Sequence, residues 1–209
     1  MCSLYSQTTA KEAMRRLFAD IARWQDTTGN IESGDVYPDR PAPILRLDDD
    51  GVRLQMARWG LPSPPQFHSA SGIDRGVTNV RNTASPHWRR WLTPAHRCLV
   101  PFTRFAEPRG KGAGNAWFDV DQPAFFAGIW VGAWTSIRKL KDGETTDDLY
   151  AFLTTEPNAV VSPTHPKALP AILTTREEWD TWMRADWKDA GALQRPLADR
   201  LLRMVENNA

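Results

Sequence analysis

Apolar residues near the start of the chain recur at the spacing of one helix face. Met14, Leu17, Ile21 and Trp24 follow one another at steps of three or four residues, and Phe18 lies four residues after Met14. This period predicts an amphipathic α-helix. Thr9 and Glu12 stand three residues apart just before the set, which is the pattern of a capping box, and the Thr-Gly-Asn sequence at residues 28–30 predicts the end of the helix.

Strict alternation of apolar and polar residues follows further along the chain. Val52, Leu54 and Met56 alternate with polar residues, and an Asp-rich turn at residues 48–51 precedes them. Together with the apolar run at residues 44–47, this predicts a β-hairpin that extends to residue 59. Apolar runs predict further strands at residues 97–102, 116–120, 124–134, 149–154 and 171–174.

The last part of the chain contains two further helix patterns. A capping-box pattern at residues 175–178 predicts a helix that carries Trp179, Trp182 and Met183 on one face. A shorter helix is predicted at residues 197–205.

The remaining segments are predicted as loops, and the order of the elements indicates the fold class. Residues 35–43 hold three prolines and predict a stiff, extended loop, while polar loop residues dominate positions 60–94. Strands outnumber helices and follow one another along the chain. The sequence therefore predicts an α+β fold with mostly antiparallel β-structure, in a single domain that spans residues 1–209.

Composition limits which binding partners and which cellular compartment we expect. With 26 basic and 25 acidic residues the net charge is only +1, so nucleic-acid contacts would have to come from a local basic patch. Two cysteines form no disulfide framework, and no secretory signal or membrane span is predicted, so we expect a cytoplasmic protein without a membrane partner. The four histidines lack metal-ligand spacing, and we expect neither a metal nor a cofactor.

Cys2 is the most informative single residue. Removal of the initiator methionine is generally permitted before a residue as small as cysteine, and would leave a free α-amine beside a thiol. Such an aminothiol captures aldehydes, because the amine forms a Schiff base and the thiol then closes onto the imine carbon as a five-membered thiazolidine. An α-amine pKa of about 7.7–8.0 leaves a neutral fraction near physiological pH. The alternative is that Cys2 is incidental.

Basic and aromatic residues are interleaved between positions 81 and 104. The set comprises Arg81, His87, Trp88, Arg89, Arg90, Trp91, Arg97 and Arg104. A single-strand groove uses guanidinium groups to bind phosphates and flat rings to stack on bases, so this segment is a candidate nucleic-acid surface. The alternative is a solvated loop whose tryptophans pack inward.

Short motifs along nearly the whole chain, in order, resemble those of the SRAP family (SOS-response-associated peptidase). After Met1-Cys2 they are Tyr-Pro-Asp-Arg-Pro at 37–41, Met-Ala-Arg-Trp-Gly-Leu at 56–61, Asn-Val-Arg at 79–81, Arg-Cys-Leu-Val-Pro through Phe-Ala-Glu at 97–107, Phe-Ala-Gly-Ile-Trp at 126–130, and residues 153–170 with His165 and Leu169-Pro170.

The resemblance implies a mostly β, barrel-like α+β fold with Cys2 at the centre of a positively charged cleft. It also implies a DNA-damage function, a thiazolidine crosslink to the aldehyde of an abasic site in single-stranded DNA. Cys2 would be the nucleophile, and Asn79 would orient the aminothiol and the sugar. Glu107 would assist proton transfer, and His165 would act in acid–base catalysis near the phosphate or imine.

The resemblance also implies DNA contacts: Arg81 would bind a phosphate and Pro41 would pack against a base or sugar. With the interleaved segment, the predicted DNA-binding set is Arg81, Pro41, Trp88, Arg89, Arg90 and Arg104. The expected partner is single-stranded DNA that contains abasic sites, and the expected state is a monomer.

The sequence departs from the family pattern at several points. Leu4 replaces an arginine, Pro108 follows Glu107 where the family has tryptophan, and the His165 motif is one residue longer. Two other functions stay open. One is an N-terminal-nucleophile cysteine (auto)peptidase that removes Met1 or a short leader. The other is a non-catalytic single-strand-binding module in which Cys2 is inert. Lyase activity would instead accompany the crosslinking function.

Overall fold

The computed structural model describes residues 2–20, 23–49, 51–110 and 112–206. The strands in this part of the chain are β1 Leu4–Gln7, β2 Trp24–Asp26, β3 Gly34–Val36, β4 Pro41–Asp48, β5 Gly51–Trp59, β6 Asn79–Val80, β7 Arg97–Pro101, β8 Arg104–Pro108, β9 Asn115–Asp119, β10 Phe125–Ile137, β11 Glu144–Thr155, β12 Leu169–Pro170, β13 Ile172–Leu173 and β14 Arg203–Val205. The α-helices are α1 Lys11–Leu17, α2 Pro86–Arg89, α3 Arg176–Arg184 and α4 Trp187–Ala190. Single 3₁₀ turns lie at Pro65–Phe67, Pro94–His96, Leu140–Asp142, Gly191–Leu193 and Asp199–Leu201.

The smaller sheet has five strands in the order β14-β9-β8-β1-β3, and all its pairs are antiparallel. The chain enters this sheet at Leu4, two residues after Cys2. Within β1, Tyr5 lies opposite Val36 on one side and opposite Phe105 on the other. The residues that follow Cys2 are thus fixed by backbone hydrogen bonds on both sides.

The larger sheet has nine strands and includes the long β10–β11 hairpin. Its main path is β12-β11-β10-β7-β4-β5-β2, with β13 joined to β10 and β6 joined to β11. Most pairs are antiparallel, but β11 runs parallel to β5 and β6, and β2 runs parallel to β5. Asn79 of β6 lies opposite Phe152 of β11. The fold class predicted from the sequence, α+β with mostly antiparallel strands in a barrel-like arrangement and peripheral helices, is confirmed.

The nine-stranded sheet separates two apolar clusters, because alternate residues along each strand point to opposite faces. One face packs against the helices and is called the helix face: Leu45, Leu54, Leu99, Ala127 and Ala151. The other packs against Cys2 and the five-stranded sheet and is called the inner face: Ile44, Cys98, Val100, Phe126 and Phe152. No helix in the described residues is long and apolar enough to cross a membrane.

Several predicted elements are found in the structure. The β4–β5 hairpin pairs Leu45 with Leu54. Its Gly51 has φ of 139°, and a Cβ there would collide with the carbonyl oxygen of Arg23, so glycine is required. The capping box before α3 is present, with Thr175 and Glu178 each accepting from the other's backbone N–H. The strand predictions at 97–102, 116–120, 124–134, 149–154 and 171–174 are confirmed, although β10 extends to Ile137 and β11 begins five residues earlier, at Glu144.

The predictions for the first helix and for the chain's last segment need correction. The capping residue of α1 is Ala10, not Thr9, and it makes no side-chain capping bond. The helix ends at Leu17, Trp24 belongs to β2, and Ile21 lies outside the described residues. The predicted helix at 197–205 is wrong, because β14 instead pairs with the edge of β9.

The loop predictions at 35–43 and 60–94 are also incomplete, because the second segment contains β6 and α2. The predicted extended loop at 35–43 contains the end of β3 and the first three residues of β4. β8 was not predicted at all. Its central residues, Phe105 and Ala106, are buried on opposite faces of the five-stranded sheet, so the alternation of a half-exposed strand is missing.

Candidate active site around Cys2

Cys2 lies just before β1, in the apolar cluster between the two sheets. Its side chain is fully buried, and Sγ lies 3.4 Å from the carbonyl oxygen of Leu4 as a hydrogen-bond donor. Burial raises the pKa of the Cys2 thiol far above its ordinary value, and the nearby carboxyl group of Glu107 raises it further. The sulfur is therefore held as a thiol and needs a base when it acts as a nucleophile.

Asn79 fixes the backbone of Cys2. Its side-chain amide donates to the carbonyl oxygen of Cys2 at 2.8 Å and to Oγ1 of Thr78 at 2.8 Å. The Thr78 carbonyl oxygen in turn accepts from the indole N–H of Trp59 at 3.0 Å. Because β6 pairs with β11, this amide is positioned by the edge of the nine-stranded sheet.

Glu107 and His165 form the titratable part of the site. Glu107 is fully buried on β8, one residue beyond Ala106, which pairs with Leu4. Burial raises the pKa of Glu107 to about 7. His165 Nε2 lies 3.7 Å from Glu107 Oε2, and burial is the largest of the effects that lower the pKa of His165. Near pH 7 the carboxyl is divided between its two forms and the imidazole is mostly neutral.

These four residues, at positions 2, 79, 107 and 165, are brought together by four separate segments. The arrangement combines a buried thiol, a carboxyl that can donate or accept a proton near neutrality, and a neutral imidazole. Such a set suits nucleophilic addition to a carbonyl or imine with proton transfer. Among the described residues, no group of three or more His, Cys, Asp and Glu side chains could hold a metal ion.

Arg81 and Pro41 lie at exposed positions. Arg81 follows Asn79 by two residues, and its Nη1 donates to the carbonyl oxygens of Thr155 and Lys167, each at 2.9 Å. Pro41 is exposed at the first position of β4, opposite Arg58. Arg81 thus presents a guanidinium group near the segment that holds Asn79.

The prediction that Trp88 offers a stacking surface is wrong. Trp88 and Trp91 are buried in the helix-face cluster, on the side of the nine-stranded sheet opposite Cys2. The single turn of α2 turns Trp88 inward and leaves Arg89 and Arg90 exposed. The Arg90 guanidinium lies over the Trp91 ring, 4.0 Å from its centroid.

Arg104 also does not face Cys2. It lies on the outer face of the five-stranded sheet, where its guanidinium covers the Trp117 ring at 4.2 Å and Nε donates to Ser6 Oγ at 3.2 Å. Because side chains alternate along β8, Glu107 points inward when Arg104 points outward. The position of Arg104 therefore does not support the predicted contact with a DNA phosphate near Cys2.

Two tyrosines near the site were not singled out by the sequence. Tyr5 and Tyr150 are fully buried, and their hydroxyl oxygens lie 2.5 Å apart. Burial raises the pKa of both groups, and the Cys2 thiol adds to the effect on each. The sequence offers one weak signal, the position of Tyr5 three residues after Cys2. The alternation of side chains along a strand does not by itself single out that position.

Three solved structures are similar to this chain over nearly its whole length. A protein from Bacteroides thetaiotaomicron matches with a TM-score of 0.74 and 22% identity over 99% of this chain and 93% of its own. A protein from Bordetella bronchiseptica matches with 0.72 and 21% over 98% and 100%. A phage-related protein from Bordetella bronchiseptica matches with 0.70 and 19% over 100% and 95%. At these identities the likeness shows the fold alone.

Sequence comparisons differ in what they find. No curated protein matches the chain significantly. By contrast, the family model described as "SOS response associated peptidase (SRAP)" matches residues 1–207. Since this match covers nearly every residue, the chain belongs to the SOS response associated peptidase (SRAP) family.

Proposed function

We propose that the protein captures abasic sites in single-stranded DNA through a covalent bond to Cys2, once Met1 has been removed. The observation that carries the proposal is the meeting of Cys2, Asn79, Glu107 and His165. A structural cysteine needs neither a carbonyl fixed by an amide nor a buried carboxyl with a pKa of about 7. Membership of the SRAP family favours the same function.

The chemistry balances without a cofactor. The α-amine of Cys2 adds to the aldehyde carbon of the ring-opened abasic sugar and gives a carbinolamine. Loss of one water molecule gives a Schiff base. The thiol then adds to the imine carbon and its proton passes to the nitrogen, which closes a thiazolidine ring. The overall change is one aldehyde and one aminothiol converted into one thiazolidine and one water.

The side chains divide this work according to their charge states. Protonated Glu107 donates a proton as the sugar ring opens and water leaves, and its carboxylate accepts the proton of the Cys2 thiol during ring closure. Neutral His165 exchanges protons with Glu107 through one water molecule, or once the 3.7 Å between Nε2 and Oε2 shortens to hydrogen-bond length. Asn79 holds the Cys2 carbonyl so that the amine and thiol present a fixed geometry.

The DNA strand is held by contacts that carry no sequence information. Arg81 binds a backbone phosphate, and Pro41 packs against a sugar or base. Phosphate contacts of this kind make the affinity depend on salt, and a single strand leaves the aldehyde accessible.

The proposal is tested by incubating protein with a verified Cys2 terminus and single-stranded DNA that carries one abasic site. A denaturation-resistant adduct should form without added reductant, since a plain Schiff base hydrolyses on denaturation. Cys2→Ser should lose the stable adduct and keep at most a borohydride-trappable imine. Cys98→Ala, which changes the other buried cysteine, should retain it.

A blocked terminus provides the sharpest control. Protein that retains Met1 should give no stable adduct, because its α-amine is no longer on the carbon that carries the thiol side chain. Absence of an adduct from the processed wild-type protein would reject the proposal. A peptidase that uses Cys2 would then be tested by its release of short peptides.

A further inference from the structure

Arg81 is fixed through one of its two terminal nitrogens. Nη1 donates to the carbonyl oxygens of Thr155 and Lys167, each at 2.9 Å, and these two bonds use both of its N–H groups. The side-chain amide of Gln194 donates to the carbonyl oxygen of Arg81 at 2.8 Å and so fixes its backbone. The edge formed by Nε and Nη2 is the part of the guanidinium that can receive an anion.

A carboxylate already lies near Nη2. Glu156 Oε1 lies 3.5 Å from Arg81 Nη2, and Thr155 Oγ1 donates to the other oxygen, Oε2, at 3.0 Å. The side chains of Arg81 and Glu156 are 44% and 71% exposed, respectively. The separation exceeds the 2.7–2.9 Å or so of a tight charge-assisted hydrogen bond, so the pair is loose and open to exchange.

We propose that Glu156 is an internal competitor for the phosphate that Arg81 binds, and that it lowers the affinity for undamaged single strands. The inference rests on the proposed function. A carboxylate and a phosphate both bind the open edge of a guanidinium group and have the same sign of charge, so the phosphate must displace Glu156. Exposed ion pairs are weak, which sets the expected effect at about two- to fivefold in affinity.

The competition acts before any covalent step. It weakens binding to every single strand alike, whether or not the strand contains an aldehyde. Retention on DNA then depends on the bond to Cys2, which forms only at a lesion. Glu156 would thus favour release from undamaged DNA without reducing the lifetime of the covalent product.

The test uses an undamaged, fluorescently labelled single-stranded oligonucleotide, so that crosslinking plays no part. Glu156→Gln should tighten binding two- to fivefold at low salt, measured by fluorescence anisotropy. Glu12→Gln is the matched control. Glu12 is also exposed and lies 3.6 Å from Arg15 and 3.5 Å from Arg16, but it belongs to α1 on the helix face. That variant should bind as the wild-type protein does.

A double-mutant cycle separates competition at Arg81 from a general effect of charge. Glu156→Gln should give no gain in an Arg81→Gln background, because the contested group is gone. An equal gain in both backgrounds, an equal gain from Glu12→Gln, or no gain at all would overturn the inference while leaving the crosslinking function intact. If the wild-type protein does not bind the oligonucleotide, the proposed single-strand function fails, and this inference fails with it.

Discussion

The helix face and the inner face of the nine-stranded sheet both adjoin a buried ionisable group, but the two groups differ in what burial does to them. Beside the helix face, Arg97 donates to the carbonyl oxygens of Trp182 and Ala185, and burial lowers the pKa of Arg97 to about 10. It therefore stays charged at neutral pH. Beside the inner face, burial raises the pKa of Glu107 to about 7, so its charge changes within the physiological range.

This difference separates a structural use of burial from a chemical one. Arg97 caps the carbonyl end of α3 with a charge that is constant, which stabilises one arrangement of helix and sheet. Glu107 is poised between two protonation states beside a thiol and an imidazole, which suits proton transfer. We expect substitutions on the helix face to change stability, and substitutions around Glu107 to change reaction rate.

The largest expected effect is on stability, at Trp182. Its ring is fully buried in the helix-face cluster, and its indole N–H contacts the carbonyl oxygens of Cys98 at 2.9 Å and Gly128 at 3.1 Å. Trp182→Ala should lower the free energy of unfolding by about 3–5 kcal/mol, measured by urea denaturation. Trp182→Phe keeps most of the apolar area and should lose about 1–2 kcal/mol. A large fall in adduct rate in folded Trp182→Phe protein would break the distinction between the faces.

The next effect is on rate, at Glu107. Glu107→Gln keeps the shape of the side chain but removes its proton transfer, so the first-order rate of adduct formation should fall by about 100-fold. The stability of this variant at pH 8 should equal or exceed that of the wild type, because a buried charge has been removed. Glu12→Gln on α1 provides the control and should leave the rate unchanged. An unchanged rate in Glu107→Gln would remove the carboxyl from the mechanism.

A smaller effect is the dependence of stability on pH. The pKa of Glu107 is raised from 4.5 to about 7 by burial, so the folded state favours the protonated carboxyl. Its contribution to stability is therefore complete below about pH 4.5 and is lost as the pH rises through 7. Between pH 5 and pH 8 the wild type should lose roughly 1–3 kcal/mol more than Glu107→Gln does, measured by urea denaturation. Parallel pH profiles for the two proteins would contradict the raised pKa.

Much of the local structure and the membership of the candidate site could be predicted from the sequence. The alternating pattern of Val52 and Leu54 and the capping box at Thr175 predict local structure, because neighbouring residues determine it. The order of motifs over the chain pointed to Cys2, Asn79, Glu107 and His165 as one group. The bond from the Asn79 amide to the Cys2 carbonyl could not be predicted, since it depends on the parallel pairing of β6 with β11.

The errors have a common physical origin. A tryptophan between arginines has the same sequence pattern whether its ring faces solvent or core, and one turn of α2 directs Trp88 inward. The segment at 197–205 has helical spacing, but the edge of β9 offers backbone hydrogen bonds that a short helix cannot match. Tertiary contacts of this kind override local preference, and they are not visible in a single sequence.

The smallest expected effect concerns the path of the DNA strand relative to the two faces. Arg81 lies close to the segment that holds Asn79, whereas Arg90 lies over Trp91 on the helix face. Each phosphate that a side chain neutralises contributes about 0.7 to the slope of log affinity against log salt for a single strand. Arg81→Gln should therefore reduce this slope by about 0.7 and weaken binding several-fold at low salt.

Arg90→Gln should change neither quantity, if the strand stays on the side of Cys2. Titrations of an undamaged oligonucleotide at four or more salt concentrations would give both slopes. An equal reduction from Arg90→Gln would mean that the strand continues onto the helix face, and the separation of the two faces would then hold for the chemistry but not for DNA binding.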